Sequence, residues 1–82
     1  MKIERITKKA LLAAVKDENI NVTFEDKKEI VRTPGVVGVA VTAAGNYMVY
    51  CVNEMGKLFN TSVHANRREA NGRVLERMRA MA

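Results

Sequence analysis

Ile3, Ile6, Ala10, Leu11 and Ala14 recur at spacings of three and four, the period of one face of a helix. Thr7 precedes LysLysAlaLeuLeuAlaAlaValLys, and its hydroxyl suits a helix cap. A helix is therefore predicted after Thr7, ending at Asn19. From Val36 to Thr42 the residues are β-branched or small, which predicts a strand. Val37, Val39 and Val41 fall on one face, and Gly38, Ala40 and Thr42 on the other. Gly45-Asn46 suits a primed hairpin turn, with Tyr47 to Val52 returning as a second strand. Asn53 to Gly56 supplies a longer turn, and Lys57 to Ser62 a third strand. A last helix is predicted over 66–81, with Ala70, Val74, Met78 and Met81 as one stripe and Leu75 beside it. Gly72 inside that helix costs about 1 kcal/mol relative to Ala. The reason inferred for it is close contact with the small sheet face at Gly38 and Ala40.

Residues 20–32 admit two readings. Ile20, Val22 and Phe24 alternate like a strand. Thr23 with Asp26 also resembles a cap, and GluAspLysLysGluIleValArg a short helix with acids at its start. The reading adopted is an extended piece followed by a short helix that stops before Thr33-Pro34-Gly35, because Pro34 disfavours helical geometry in Thr33. The fold class expected is α+β: an N-terminal helix, a three-stranded antiparallel β-meander and a C-terminal helix packed on one sheet face. Residues 1–34 form the N-terminal helical region, 35–63 the meander and 64–82 the basic C-terminal helix, within one domain.

Composition narrows this picture. A chain of 82 residues holds one domain, since domains need roughly 50–200 residues. It has one cysteine and so no internal disulfide, which points to a reducing, cytoplasmic setting. The charged start has no apolar signal region, and the apolar run from Val36 to Ala44 is far short of the roughly 20 residues that span a bilayer; no membrane partner is expected. The net charge is +5, unevenly placed. Residues 1–16 carry +4, residues 17–33 carry −2, residues 34–61 are neutral and residues 62–82 carry +3.

Reactive groups do not converge in the sequence. His64 is the single histidine and reads as a surface or capping residue with no obvious partner. Cys51 reads as a buried small hydrophobe. The two together fall short of the three or four ligands of a metal site. The acids of residues 17–29 read as a solvated face, and no glycine-rich turn precedes a Lys-Ser or Lys-Thr pair. No enzyme, metal or cofactor is expected.

The arginines of the last helix carry the functional expectation. Arg67, Arg68, Arg73 and Arg77, with Lys8, Lys9 and Lys57, are the candidate contacts to phosphates or to an acidic partner. Lys8, Lys9 and Lys16 would join the arginines in one basic face if both helices share a side of the sheet. The bland alternative is a solvated helix with Glu69–Arg73 and Glu76–Arg79 pairs at helical spacing. Tyr47 and Tyr50 are candidates for stacking on bases or docking to protein.

From Gly35 to Met78 the order GlyValValGlyVal, hairpin, Tyr47, a second hairpin at Gly56-Lys57 and ArgArgGluAla at a helix start resembles two families. One comprises the three-strand-plus-helix DNA-binding domains of plant ethylene-response factors and of phage integrase arm-binding regions. That resemblance implies strand residues reading bases, yet residues 36–52 carry no base, which leaves Tyr47, Tyr50 and Lys57. The chain is also similar to double-stranded-RNA-binding domains, where a basic pair at this helix start meets phosphates; Arg67 and Arg68 would match, though Val74, Leu75 and Met78 are larger than that family uses. Two functions follow as expectations. One is a small nucleic-acid-binding protein for DNA or duplex RNA. The other is a small phage or mobile-element accessory protein that binds and modulates (inhibits or adapts) another protein, using the outer sheet face or the basic helix against an acidic partner surface. Homodimerisation through an edge strand or the outer sheet face is compatible with both.

Overall fold

A computed structural model describes residues 4–82. Helix α1 (Lys8–Asp17) starts where Thr7 Oγ1 accepts the Ala10 N–H at 3.1 Å. It ends as Asn19 turns into the left-handed region at φ 52°, which Asn tolerates better than most residues. The Ile20 N–H then reaches Val15 O and the Asn19 N–H reaches Lys16 O, the paired closure that satisfies the last carbonyls. Leu11 is the fully buried point of this helix, and Ile6, Ala14 and Val15 pack against the same core. Ile3, the first residue of the expected stripe, lies outside the described residues.

Four strands follow: β1 (Thr23–Asp26), β2 (Val36–Val41), β3 (Tyr47–Val52) and β4 (Leu58–His64), and then helix α2 (Arg67–Met81). They form one sheet in the order β1-β2-β3-β4. β2, β3 and β4 are the expected antiparallel meander. β1 is an addition to it, pairing parallel with β2 from Thr23↔Val36 to Asp26↔Val39. The sheet is thus four-stranded and mixed, not three-stranded and antiparallel. The alternation of Val22 and Phe24 marked this strand, but parallel pairing is set by a distant partner that local pattern does not reveal.

The short helix expected before Pro34 does not form. The backbone at 27–28 instead prolongs the ladder on β2, with Lys27 N–H to Val39 O and Val41 N–H to Lys28 O. The Val31 N–H goes to Tyr50 Oη at 2.8 Å. These bonds outcompete a helix of at most two turns, which has little stability of its own.

The two sheet faces carry different cores. Val37, Val39, Val49 and Cys51 face the helices and pack with Leu11, Ala70, Val74, Leu75 and Met78. Val36, Ala40, Tyr50 and Val52 lie on the opposite face, joined by Met48 and Leu58. The link 27–35 crosses this second face on its way from β1 to β2. Gly38 and Ala40 therefore point away from α2, and contact with them is not what buries Gly72. Gly38 instead makes room for Tyr50: a Cβ there would overlap the ring carbon Cζ and Oη.

Both hairpins use the same loop, and neither is a primed turn at Gly-Asn. Thr42 N–H bonds Asn46 O, Gly45 N–H bonds Thr42 O, and Gly45 has φ 83°. Asn53 N–H bonds Lys57 O, Gly56 N–H bonds Asn53 O, and Gly56 has φ 78°. Each is a three-residue connection whose last residue needs the left-handed region, hence glycine. β4 is bulged between Phe59 and Ser62, where its register on β3 shifts and Asn60 takes φ 50°.

Candidate binding surfaces

α1 and α2 lie on the same sheet face, with their starts side by side. The Ile6 N–H reaches Arg68 O at 3.2 Å. Buried Asn71 donates from Nδ2 to Ile6 O at 3.1 Å and accepts from Arg67 Nε at 3.0 Å. Asn66 caps α2, its Oδ1 accepting the Arg68 and Glu69 N–H groups. These contacts gather Arg5, Lys8, Lys9, Arg67 and Arg68 at one end of the molecule.

Much of this charge is already engaged. Asp26, at the end of β1, receives Lys8 Nζ and Arg67 Nη2, each at 2.8 Å. Burial pushes its carboxyl up, but the hydrogen bonds from Lys8 and Arg67, with their charges, outweigh this and hold it below its ordinary range. Arg67 also lies over the Tyr47 ring, 5.6 Å from its centroid. Arg67 is thus a structural residue, tying β1, β3 and α2 together, and Tyr47 has one ring face occupied. Arg5 pairs with Glu69 at 3.6 Å. Lys9 and Arg68 have no carboxylate partner among the described residues.

The remaining expected site residues lie elsewhere. Arg73 and Arg77 follow Glu69 by one and two turns of α2, Arg77 near enough to Cys51 of β3 to act on its thiol, and Lys57 is in the β3–β4 turn. Tyr50 is fully buried, so its ring offers no surface to a base. The expected Glu69–Arg73 and Glu76–Arg79 pairs are not the ones made. Arg73 binds Glu76 at 2.8 Å, and Arg79 grips Glu18 of the α1 terminus with two bonds of 2.7 and 2.6 Å. The hydrogen bonds from Arg79 hold the Glu18 carboxyl below its ordinary range.

His64 differs from its sequence reading: it is buried and has two partners. Nε2 lies 2.8 Å from Ser62 Oγ, and Nδ1 lies 3.3 Å from Glu69 Oε1. Ser62 and His64 share a strand face because they are two residues apart, which was legible; Glu69 arrives only through the turn into α2. The depressions lined by Val52 and Phe59, by Ala40 and Met48, and by Leu12 and Ile20 do not include these groups. The chain orients the strand end against the helix start. Cys51 is buried, and burial pushes its thiol up while the Arg77 guanidinium partly opposes this. A shallow depression at the far end, lined by Gly35, Val52, Met55, Phe59 and Met81, has Glu54 as its sole ionisable side chain.

Among the described residues no three His, Cys, Asp or Glu side chains are placed to hold a metal ion, and no helix is long and apolar enough to cross a membrane. Comparison with protein-family models, with curated proteins and with solved structures finds no match.

Proposed function

We propose that the protein binds duplex nucleic acid, RNA in preference to DNA, with the end at which the two helix starts meet. The observation that carries this reading is the pairing of Ile6 with Arg68, which joins cations 60 residues apart in sequence into one surface. Five cations there share two carboxylates, Asp26 and Glu69. Lys9 and Arg68 are the ones free to meet phosphates, and the positive ends of two helices point the same way. β2 and β3 carry no basic side chain, which favours recognition of backbone and shape over base reading. The arrangement of both helices on one sheet face, with Arg67-Arg68-Glu69-Ala70 opening the second, supports RNA through its likeness to double-stranded-RNA-binding domains.

The test is fluorescence anisotropy with labelled duplex RNA, duplex DNA and single strands over a salt series. Duplex RNA should bind most tightly, with affinity falling steeply with salt. Replacing Lys9 and Arg68 by Ala removes two phosphate contacts and should flatten the log–log salt slope by about 2. No binding to any duplex at low salt would sink the reading.

A further inference from the structure

Among the described residues, the outer edge of β4 has no strand paired to it. β4 ends the sheet order. It is seven residues long and contains no Lys, Arg, Asp or Glu. The opposite edge, β1, is four residues long and carries Glu25 and Asp26, the short and charged form that blunts an edge against pairing. β4 has no such protection apart from its bulge at Asn60, which confines regular pairing to the stretch 61–64. Val63 there is 58% exposed.

Two arginines follow the contact of β4 with α2. Glu69 contacts His64 of β4, and Arg73 and Arg77 follow one and two turns later on the same side of α2. Together they have one carboxylate, Glu76, which binds Arg73. Arg77 makes no ion pair among the described residues, and the Nε atoms of both arginines are buried without an acceptor, which leaves their terminal nitrogens to meet a partner. Neither guanidinium is locked by a full set of bonds.

We propose that β4 takes on a fifth strand, an extended acidic segment of another protein, whose alternate carboxylates meet Arg73 and Arg77. The spacings agree. Four residues of helix advance about 6 Å, and alternate residues of a strand are about 6.7 Å apart, so acid-any-acid places one carboxylate per arginine. The intervening residue points to the other sheet face, beside Val63, and is apolar. A second copy of this chain fits poorly. Its β4 has no acid to offer, and its own Arg73 and Arg77 would be brought toward the first pair. This proposal stands apart from duplex binding, because it uses a different flank of α2.

The probe is a fluorescein-labelled peptide, Glu-Val-Glu-Val-Glu-Val, followed by anisotropy and by amide NMR shifts and exchange on the whole chain. It should protect amides of 61–64. The Lys-Val-Lys-Val-Lys-Val peptide should not bind, and R73A/R77A should weaken the acidic peptide at least about tenfold, as expected for two lost charge-assisted contacts. The amide spectrum of R73A/R77A checks its fold. K9A/R68A should bind the peptide as the native protein does, whether or not the native protein binds duplex RNA. Shifts confined to the helix starts, equal binding of the lysine peptide, or no loss in a folded R73A/R77A would overturn the proposal. So would protection of 61–64 without peptide in a sedimenting dimer, which would assign the edge to a second copy.

Discussion

Gly38 and Tyr50 face each other across β2 and β3. The ring occupies the space where any other residue would put its Cβ, and Oη takes the Val31 N–H. One glycine thus lets one tyrosine hold the crossing link to the sheet. Gly38→Ala forces the ring out and should destabilise by about 2–3 kcal/mol, the range of overpacked cores. Tyr50→Phe removes only the acceptor and should cost about 1 kcal/mol. Urea unfolding of the two variants checks the order; a neutral Gly38→Ala would contradict this packing. In the sequence Gly38 was visible only as a small residue on one strand face. That its partner is a tyrosine follows from the register, which the loop between them sets.

Among the elements, both helices and the meander were legible because caps, period and turn glycines are local signals. Thr7 caps as the pattern suggested; Asn66, read from sequence as the first helical residue, is the cap of α2, and Asn66→Ala should cost about 1 kcal/mol, measurable as a lowered melting temperature. What was not legible is how the elements are joined. Asp26 binds Lys8 of α1 and Arg67 of α2 from its place on β1, a junction of residues 18 and 41 positions away in the chain. Its carboxyl is held below its ordinary range in the native state. Its contribution is therefore complete above the unfolded pKa of about 3.9 and is lost as pH falls through the lower native value. Asp26→Asn should lower stability at pH 7 and leave a shallower decline between about pH 5 and pH 2. Denaturant midpoints across that range measure both effects. An unchanged acid profile would show that the junction adds nothing.

At the scale of the molecule, the arginines of the last helix separate into four groups with different surroundings, one of them Arg79 on Glu18 of the α1 terminus. Arg67 is consumed in the junction, Arg68 is exposed at the helix start, and Arg73 and Arg77 lie one and two turns beyond Glu69. A single basic face, as charge counting suggests, is therefore not what α2 presents. The two surfaces are separable by mutation. K9A/R68A should impair duplex binding, and R73A/R77A should impair capture of the acidic strand. Loss of both functions in either variant would argue for one shared surface.

The pattern of residues determined by itself that this chain has a helix capped by Thr7, three strands in a meander and a last helix over roughly 66–81, because hydrogen bonds within a turn or hairpin and the period of apolar residues depend on near neighbours. Its lack of converging catalytic side chains in the sequence shaped the expectation of a binding protein. The tertiary structure alone decided that 23–26 pairs parallel with β2, that 27–35 crosses the second face, that both helices share the first, and that His64 lies between Ser62 and Glu69. Each of these rests on contacts between residues far apart in the chain or around a turn, where the free energy comes from burial and ion pairing that no local window contains.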